Sequence, residues 1–399
     1  MTSVRSAALI SLHTSPLHQP GSGDAGGMNV YLAHVARELA ALGVAVDIFT
    51  RADAQTGPGV TELAPGARVV SLDVAPEASK TELAAHAGEF AEAVLAQGFG
   101  PYDVVHAHYW LSGLAGERLA EAWGAPLLHT MHTLALAKER GRGSGEPSEP
   151  DGRASAERGL IERAARLIVN TRAEARDVEE LYGADPDRVD IVAPGVDLGV
   201  FTPEGRREAR ARLGVAEEEF HVLFAGRIQR LKGPQVLVEA MSRIPQTAPI
   251  RLSIVGAASG AGELDLAGRI AELGLEDRVS LHAPVEARRL ADWYRAADVV
   301  AMPSYAESFG LVALEAQACG TPVIAAEVGG LPQSVSDGRT GLLLPDHDPE
   351  RWADAIVRIA ADGALREQLT HAAPIHARAF GWQRTAMFTL QSYRVAAGL

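Results

Sequence analysis

The chain has 399 residues, which suits two globular domains better than a single core. Its formal net charge of −14 argues against nucleic acid or an anionic membrane as a partner, because the overall field repels both. Cys319 is the only cysteine, which excludes an internal disulfide, and no run approaches the ~18 apolar residues of a membrane span. These properties, together with the lack of a secretory signal pattern, predict a cytoplasmic protein that does not insert into a membrane.

The first half of the sequence alternates short β-rich runs with helical patterns. Residues 28–42 carry the apolar spacing of a helix, and the polar stretch 141–153 is typical of a surface loop. Such alternation predicts a parallel sheet covered by helices on both faces. The predicted strands are residues 5–12, 44–49, 68–72, 103–106, 126–129 and 167–170.

The alternation starts again after residue 195 and ends in a helix at 382–396. The sequence therefore predicts an α/β fold of two doubly wound, Rossmann-like domains. The first comprises residues 1–195 and a C-terminal helix at about 380–399, and the second comprises residues 196–379. Ligands of open parallel sheets bind beyond the carboxyl ends of the strands, so residues that follow strands are the functional candidates. The predicted strands of the second half are residues 221–226, 251–256, 279–283, 298–302 and 322–325.

A glycine-rich segment, PGSGDAGGMN at 20–29, follows the first strand and begins the first helix. Glycines allow the backbone to approach a ligand closely, and the helix N-terminus favours an anion. The pattern is neither GxGxxG nor a Walker loop, which makes a dinucleotide or ATP site less favoured. A glycine-rich connection that binds no ligand is the alternative.

The segment GRIQRLKG at 226–233 places Arg227 and Lys232 between the first strand of the second domain and a helix. A helix dipole disfavours cations at that end, so their presence indicates an anionic ligand such as a diphosphate. Exposed surface cations are the alternative, and spacing alone would favour it.

A third segment, at 303–320, contains Glu307 and Glu315 on either side of a predicted helix start. Backbone N–H groups near Phe309, Gly310 and Leu311 are suited to hold a phosphate. Carboxylates repel a phosphate, so the two glutamates are expected to bind hydroxyls of a sugar or ribose instead. Alternatively, Glu307 offsets the helix dipole and Glu315 lies on a solvated face.

Histidines follow two strands of the first domain. His106 and His108 alternate onto one face of a strand, but no acidic or cysteine ligand lies nearby in the sequence, so a zinc site is not favoured. For His106 we expect a buried hydrogen-bonding role. His132 lies just beyond a strand end, where a role in the active site is expected.

The glutamate pair within ESFGLVALEAQACGTPV at 307–323, the GRIQRLKG loop and the APGVD stretch at 193–197 resemble the retaining glycosyltransferases of family 4. The resemblance covers essentially the whole chain. It implies the GT-B fold, in which two Rossmann-like domains face each other across a cleft. Three N-terminal stretches, at 12–31, 106–113 and 129–134, are similar to the D-inositol-3-phosphate N-acetylglucosaminyltransferases of mycothiol biosynthesis.

This resemblance implies an acceptor site in the first domain. The acceptor phosphate would be held by Lys80, Tyr109, Thr133 and Arg153. The acceptor site would also include His13, Asp24, Ala25, Gly26, Gly27, Met28 and Asn29, with the inositol hydroxyls contacted by His13, Asp24 and Asn29.

It also implies a donor site for UDP-GlcNAc or UDP-glucose, with a catalytic group of Arg227, Lys232, His132 and Glu307. Arg227 and Lys232 would bind the diphosphate, and Glu315 the ribose. No metal or other cofactor is required, and the sugar would be transferred with retention of configuration. The remaining donor-site positions are Gln19, Pro20, Gly27, Asn170, Val285, Phe309, Gly310 and Leu311, with the backbone of Val285 at the uracil.

Several alternatives remain open at this point. Another family 4 enzyme would share the donor site while using UDP-glucose or a malate, sucrose-type or antibiotic acceptor. A non-catalytic UDP-sugar-binding protein would release no UDP with any acceptor, and a UDP-sugar epimerase would interconvert donors without one. The partners expected are therefore a UDP-sugar and a small phosphorylated acceptor, and a homodimer is compatible with the sequence.

Overall fold

The computed structural model describes residues 3–19, 26–79, 82–140, 149–258 and 264–399. These residues form two compact units. The N-terminal unit comprises the described residues up to Pro194 together with Trp382–Leu399, and the C-terminal unit comprises Gly195–Gly381. Within the described part of the chain, no helix is long and apolar enough to cross a membrane.

The N-terminal unit is built on an eight-stranded sheet in the order β3-β4-β2-β1-β5-β6-β7-β8. All neighbouring strands are parallel except β3, which runs antiparallel to β4 at one edge. The strands are β1 (Ser6–Ser11), β2 (Ala45–Arg51), β3 (Gly59–Ala64), β4 (Ala67–Leu72), β5 (Val104–His108), β6 (Leu127–Thr130), β7 (Arg166–Val169) and β8 (Val189–Ile191).

Strand β3 corrects the expectation of a wholly parallel sheet. Its side chains are mostly exposed on both faces, so the sequence lacks the apolar alternation that marks a half-buried strand. A two-residue connection joins it to β4, and such a short connection requires an antiparallel pair.

Helices cover this sheet, and the last of them comes from the end of the chain. Trp382 begins that helix, stacks on His34 with ring centroids 5.1 Å apart, and meets Tyr31 edge-on at 5.8 Å. The C-terminal helix thus packs on the first helix of the unit. The helices are α1 (Gly27–Ala41), α2 (Ala87–Ala96), α3 (Trp110–Trp123), α4 (Ala135–Arg140), α5 (Arg153–Arg163), α6 (Arg172–Tyr182) and α15 (Trp382–Ala396).

The C-terminal unit contains a six-stranded parallel sheet in the order β11-β10-β9-β12-β13-β14. Its strands are β9 (Phe220–Ala225), β10 (Ile250–Val255), β11 (Val279–His282), β12 (Val299–Met302), β13 (Val323–Ala326) and β14 (Gly341–Leu344). Its helices are α7 (Arg206–Leu213), α8 (Pro234–Arg243), α9 (Leu266–Glu272), α10 (Ala287–Ala296), α11 (Leu311–Ala318), α12 (Leu331–Ser334), α13 (Pro349–Ala361) and α14 (Gly363–Ala377).

The strand orders decide which loops come together. In the N-terminal unit, β1, β5, β6 and β7 are consecutive neighbours, so the segments after their carboxyl ends share one edge of the sheet. In the C-terminal unit, β9 and β12 are neighbours, and the loops that follow them also meet. These two edges carry most of the predicted site residues.

Candidate active site

In the C-terminal unit, Lys232 and Glu307 form an ion pair across adjacent strand-end loops. Lys232 lies in a 3-10 turn, Arg230–Lys232, after β9, and its Nζ donates to Oε2 of Glu307 at 2.5 Å. Glu307 lies in the loop between β12 and α11. Arg227 lies two residues beyond the end of β9 and is half-buried, and no described residue accepts a hydrogen bond from its side chain. Its guanidinium is therefore available to an anion.

Gly233 is the residue that lets these two loops approach. Its φ of +73° lies in the left-handed region, and a Cβ added there would meet the carbonyl oxygen of Pro303 at 2.0 Å. The backbone after β9 is thus packed directly on the backbone after β12. This contact fixes the spacing between Lys232 and Glu307.

Replacing Gly233 with alanine is expected to lower both stability and turnover. Left-handed backbone costs a non-glycine residue about 1–3 kcal/mol, and the contact with Pro303 forces the two loops apart. Gly274→Ala is the matched control, because Gly274 has a similar φ of +63° and nothing within 4 Å of an added Cβ. Thermal unfolding and turnover of the two variants measure the effect, and equal losses in both would contradict a special role for the contact with Pro303.

The start of α11 presents backbone N–H groups next to this pair. Gly310 precedes the helix with φ +93°, and a Cβ there would approach Leu331 and Ser334 to 2.7 and 3.0 Å. Phe309 is buried, while Leu311 begins the helix. The first N–H groups of a helix have no partner within it, so this end is suited to a phosphate.

Glu315 lies one turn further into α11 and is held by a buried tyrosine. Oη of Tyr294 donates to Oε2 of Glu315 at 2.8 Å. Burial raises the pKa of Glu315 to about 7, although the hydrogen bond from Tyr294 opposes that rise. The carboxyl group of Glu315 therefore titrates near neutral pH. Val285, in the loop after β11, is half-buried.

In the N-terminal unit, the histidines form two distinct hydrogen-bonded groups. His106 is completely buried, with Nδ1 against Oη of Tyr393 at 2.9 Å and Nε2 against Oγ1 of Thr130 at 2.8 Å. This is the structural role expected for it. Nδ1 of His108 lies 3.0 Å from Nε2 of His132. Burial lowers the pKa of His132 to about 3, helped by the neighbouring His129, so His132 is uncharged at neutral pH.

Two residues at these strand ends have unusual backbone geometry. Tyr109, after β5, has φ 73° and ψ 150°, and His132, after β6, has φ 59°. Residues with side chains rarely adopt such conformations, and those that do are concentrated at functional sites. The adjacent ends of β5 and β6 are therefore a candidate binding site on geometric grounds.

Arg153 meets two other predicted phosphate ligands at this edge. Its Nη2 donates to the carbonyl oxygen and to Oγ1 of Thr133, at 2.9 and 3.0 Å. Its guanidinium lies over the ring of Tyr109, 4.9 Å from the centroid. Arg153 thus contacts two of the other predicted residues, Tyr109 and Thr133. The fourth, Lys80, lies outside the described residues.

Residues 141–153 were expected to form a surface loop. That expectation is wrong for Arg153, which is the first residue of α5 and is only 1% exposed. Nε of Arg153 donates to Oε1 of Glu157 at 2.7 Å, and Nη1 donates to Oε2 of Glu149. Oε1 of Glu149 also accepts from Nζ of Lys138 at 3.0 Å. Two cations and two carboxylates therefore form one network. Burial would raise the pKa of Glu149, but the charges of Arg153 and Lys138 outweigh it and lower that pKa.

Asn29 is engaged within the protein. Its Nδ2 donates to Oγ1 of Thr14 at 2.8 Å and to the carbonyl oxygen of Ser15 at 2.5 Å, and its Oδ1 accepts from the N–H of Gly26. Asn29 therefore fixes the start of α1 to the loop after β1, and hydroxyl binding by its side chain would require these bonds to be exchanged.

The other predicted residues of this unit lie around the same edge. The ring of His13 is 4.5 Å from that of Tyr109, and Asn170 is buried at the end of β7. Gly27 and Met28 begin α1, and Gln19 is exposed. The predicted residues Pro20, Asp24 and Ala25 lie outside the described residues. Among the residues that the structure describes, no group of three or more His, Cys, Asp or Glu side chains is arranged to hold a metal ion.

Two family models match successive parts of the chain. "Glycosyl transferase 4-like domain" matches residues 26–195, and "Glycosyl transferases group 1" matches residues 205–376. A D-inositol 3-phosphate glycosyltransferase from Arthrobacter sp. (strain FB24) is 50% identical over 99% of this chain and 96% of the relative. The chain belongs to glycosyltransferase family 4. It is an enzyme, a hexosyltransferase.

Further comparisons place this glycosyltransferase among enzymes of the GT-B fold. A D-inositol 3-phosphate glycosyltransferase from Mycobacterium bovis is 47% identical over 99% of this chain and 84% of the relative. Sucrose-phosphate synthase from Thermosynechococcus elongatus superposes with a TM-score of 0.90 at 36% identity, covering 98% of both chains. HepE from Anabaena, in complex with UDP and glucose, gives a TM-score of 0.74 at 21% identity over 99% of this chain and 100% of its own. The glycosyltransferase has the GT-B fold.

Sequence reasoning missed the partners that orient the predicted residues. Glu157 lies four residues after Arg153 on α5, a spacing that places side chains together on a helix, so a signal was present for that pair. Glu149 lies before α5 begins, so helical spacing gives no signal for its contact with Arg153. Tyr294, which holds Glu315, lies on a different helix and carries no such signal.

Proposed function

We propose that this glycosyltransferase transfers N-acetylglucosamine from UDP-GlcNAc to 1D-myo-inositol 3-phosphate, with retention of configuration. The observation that carries the proposal is the 50% identity, over 99% of the chain, to a D-inositol 3-phosphate glycosyltransferase. The geometry of both candidate sites is compatible with this substrate pair.

On the donor side, two cations are suited to the diphosphate of UDP-GlcNAc. Among the described residues the Arg227 guanidinium has no hydrogen-bond partner, and Lys232 lies close by in sequence. The helix α11, whose first N–H groups are free to bind an anion, begins four residues after Glu307, the partner of Lys232. Because charge grows on the departing diphosphate, these groups stabilise the transition state more than the bound donor. Glu315 accepts hydrogen bonds from the ribose hydroxyls, and Glu307 binds the transferred sugar.

On the acceptor side, the contact among Tyr109, Thr133 and Arg153 is suited to a phosphate monoester. A guanidinium binds a phosphate through paired N–H donors, and a hydroxyl adds a further hydrogen bond. The positive charge of Arg153 gives an anionic acceptor a local partner in a protein whose net charge is −14.

The chemistry we propose is a displacement on one face of the sugar. Glu307 is paired with Lys232 rather than placed as a nucleophile, and the low pKa of His132 makes it a poor base. The leaving diphosphate oxygen therefore takes the proton of the attacking hydroxyl as the new glycosidic bond forms. Lys232 and Arg227 balance the charge that remains on UDP.

One assay tests the proposal directly. The protein is incubated with UDP-GlcNAc or UDP-glucose and with inositol 3-phosphate, inositol or a hexose phosphate, and products are identified by mass and by the anomeric NMR coupling. A retained GlcNAc product formed only from inositol 3-phosphate is expected. The 36% identity to sucrose-phosphate synthase motivates the hexose phosphate, and a product from it alone would overturn the acceptor. UDP-sugar binding with no UDP release from any pair would overturn the enzyme activity.

Donor binding is expected to weaken below about pH 7. In the folded protein the pKa of Glu315 is raised to about 7, so its carboxylate becomes increasingly protonated as the pH falls through 7. A protonated carboxyl accepts fewer hydrogen bonds from the ribose hydroxyls. Tyr294→Phe removes the hydrogen bond that opposes this rise, so its KM for UDP-GlcNAc should begin to increase at higher pH than in the parent enzyme.

KM profiles between pH 5.5 and 8.5, a span of roughly one to two units around that pKa, measure this shift. Tyr102→Phe is the matched control, because Tyr102 also donates to a carboxylate, Asp47, at 2.6 Å in the N-terminal unit. The same midpoint in the parent enzyme and in Tyr294→Phe would contradict the assignment.

A further inference from the structure

The carboxylate of Glu149 lies between two cations. Oε1 accepts from Nζ of Lys138 at 3.0 Å, and Oε2 accepts from Nη1 of Arg153. Two oxygens of one anionic group thus bridge an ammonium and a guanidinium, as two oxygens of a phosphate would. Neither Lys138 nor Glu149 belongs to the predicted acceptor site.

The partners of the Arg153 nitrogens show which of them an incoming anion could reach. Nε donates to Glu157, and Nη2 donates twice to Thr133. Glu157 is fully buried, and Thr133 accepts through its backbone carbonyl as well as through the hydroxyl of the proposed acceptor site. Nη1 is therefore the nitrogen through which an incoming anion can bind Arg153, and in the structure it donates to Glu149.

Of the two carboxylates that pair with Arg153, Glu149 can move away more easily than Glu157. Glu157 is fixed, because its Oε2 also accepts from the N–H of Ala135 at 2.9 Å and from Oη of Tyr182. Glu149 has a side chain that is 20% exposed, and its described partners are Lys138 and Arg153 together with a backbone bond to Glu139. Among the hydrogen bonds and ion pairs described for the Glu149 side chain, rotation into solvent breaks those with Lys138 and Arg153.

A phosphate that binds at this position would be repelled by the carboxylate of Glu149. Lys138 and Arg153 balance the two carboxylates that they contact, Glu149 and Glu157, in the structure described. A phosphate monoester adds a charge of about −1.5 to −2, and a like charge in contact at a partly buried site is strongly unfavourable. Glu149 and a bound phosphate therefore exclude each other.

We propose that Glu149 is a displaceable counter-ion of the acceptor pocket, that the acceptor phosphate takes its place between Arg153 and Lys138, and that Lys138 is a further phosphate-binding residue. The inference rests on the proposed function only in taking the acceptor to be a phosphate monoester. It also gives a specificity rule. A doubly charged phosphate can compete with the internal carboxylate, whereas an uncharged polyol gains nothing by displacing it.

The test measures binding of inorganic phosphate and of inositol 3-phosphate by titration calorimetry. Glu149→Gln keeps the shape and removes the competing charge, so both ligands should bind at least about tenfold more tightly. Lys138→Gln should weaken both by about tenfold, in the parent and in the Glu149→Gln protein. Glu162→Gln, an exposed glutamate on α5, makes the same charge change and should leave binding unaltered.

The outcomes separate this inference from the proposed function. If Glu149 merely positioned Arg153 and Lys138, Glu149→Gln would weaken phosphate binding, and that result would overturn the inference. Undetectable phosphate binding by both the parent protein and Glu149→Gln would also overturn it. If Glu149→Gln does not fold, unaltered binding by Lys138→Gln overturns it equally. Tighter phosphate binding by Glu149→Gln in an enzyme that does not glycosylate inositol 3-phosphate supports the counter-ion and refutes that acceptor instead.

Discussion

Replacing Lys232 with alanine is expected to lower turnover by more than ~100-fold at saturating donor. Lys232 is the ammonium that we place against the UDP diphosphate, together with Arg227. The negative charge there grows as the bond to the sugar breaks, so the lost interaction is stronger in the transition state than in the bound donor. The decrease should therefore appear mainly in kcat, with a smaller change in KM.

Arg230→Ala is the matched control for this substitution. Arg230 is an exposed cation in the same 3-10 turn as Lys232, so it tests the effect of losing one positive charge near the site. Lys232→Ala also removes the partner of Glu307, so Glu307→Gln is measured alone and combined with Lys232→Ala to separate the loss at Lys232 from the loss at Glu307. Near-normal kcat in Lys232→Ala with UDP-sugar bound would rule out the role given to Lys232.

Replacing Arg153 with methionine is expected to destabilise the protein by about 3–5 kcal/mol. Glu157 is fully buried and pairs with Nε of Arg153 at 2.7 Å. Methionine fills much of the same volume but leaves the Glu157 carboxylate buried without a cation. An uncompensated buried charge costs far more than the intact pair contributes.

The double variant Arg153→Met/Glu157→Gln should recover much of that loss, because it removes both charges of the buried pair. Arg158→Met is the control on the same helix, since Arg158 is exposed and its substitution should change stability by less than about 0.5 kcal/mol. Urea unfolding of the three variants measures these differences. Equal stability of Arg153→Met and Arg158→Met would contradict the importance of the buried pair.

The fold was predictable wherever the local pattern reflects burial. Buried strands such as β1 and β9 are continuous apolar runs followed by turn residues, so the sequence marks them. Strand β3 was not marked because its side chains are mostly exposed, and β14 was not predicted although other strands of four residues were. Both strands lie at sheet edges, where hydrogen bonding to a single neighbour is enough to form the strand.

The candidate site was predictable in its strand-end positions and less so in its pairings. Parallel sheets place strand ends at one edge, so the segments that carry Tyr109, Thr133 and Lys232 could be chosen from the order of elements, whereas the phosphate role of Tyr109 and Thr133 came from the family resemblance. The contact of Lys232 with Glu307 joins residues 75 positions apart, and that of His106 with Tyr393 joins residues 287 positions apart. No local pattern encodes such contacts.

The sequence by itself determined the βαβ alternation, the family and the residue types at the strand ends, because these depend on short-range periodicity and on motifs. The tertiary structure alone decided the electrostatic state of those residues. Burial beside Tyr294 sets the pKa of Glu315, burial among histidines keeps His132 neutral, and the position of Glu149 occupies the free edge of Arg153. Charge and desolvation depend on every neighbour in space, and neighbours in space are fixed only when the chain has folded.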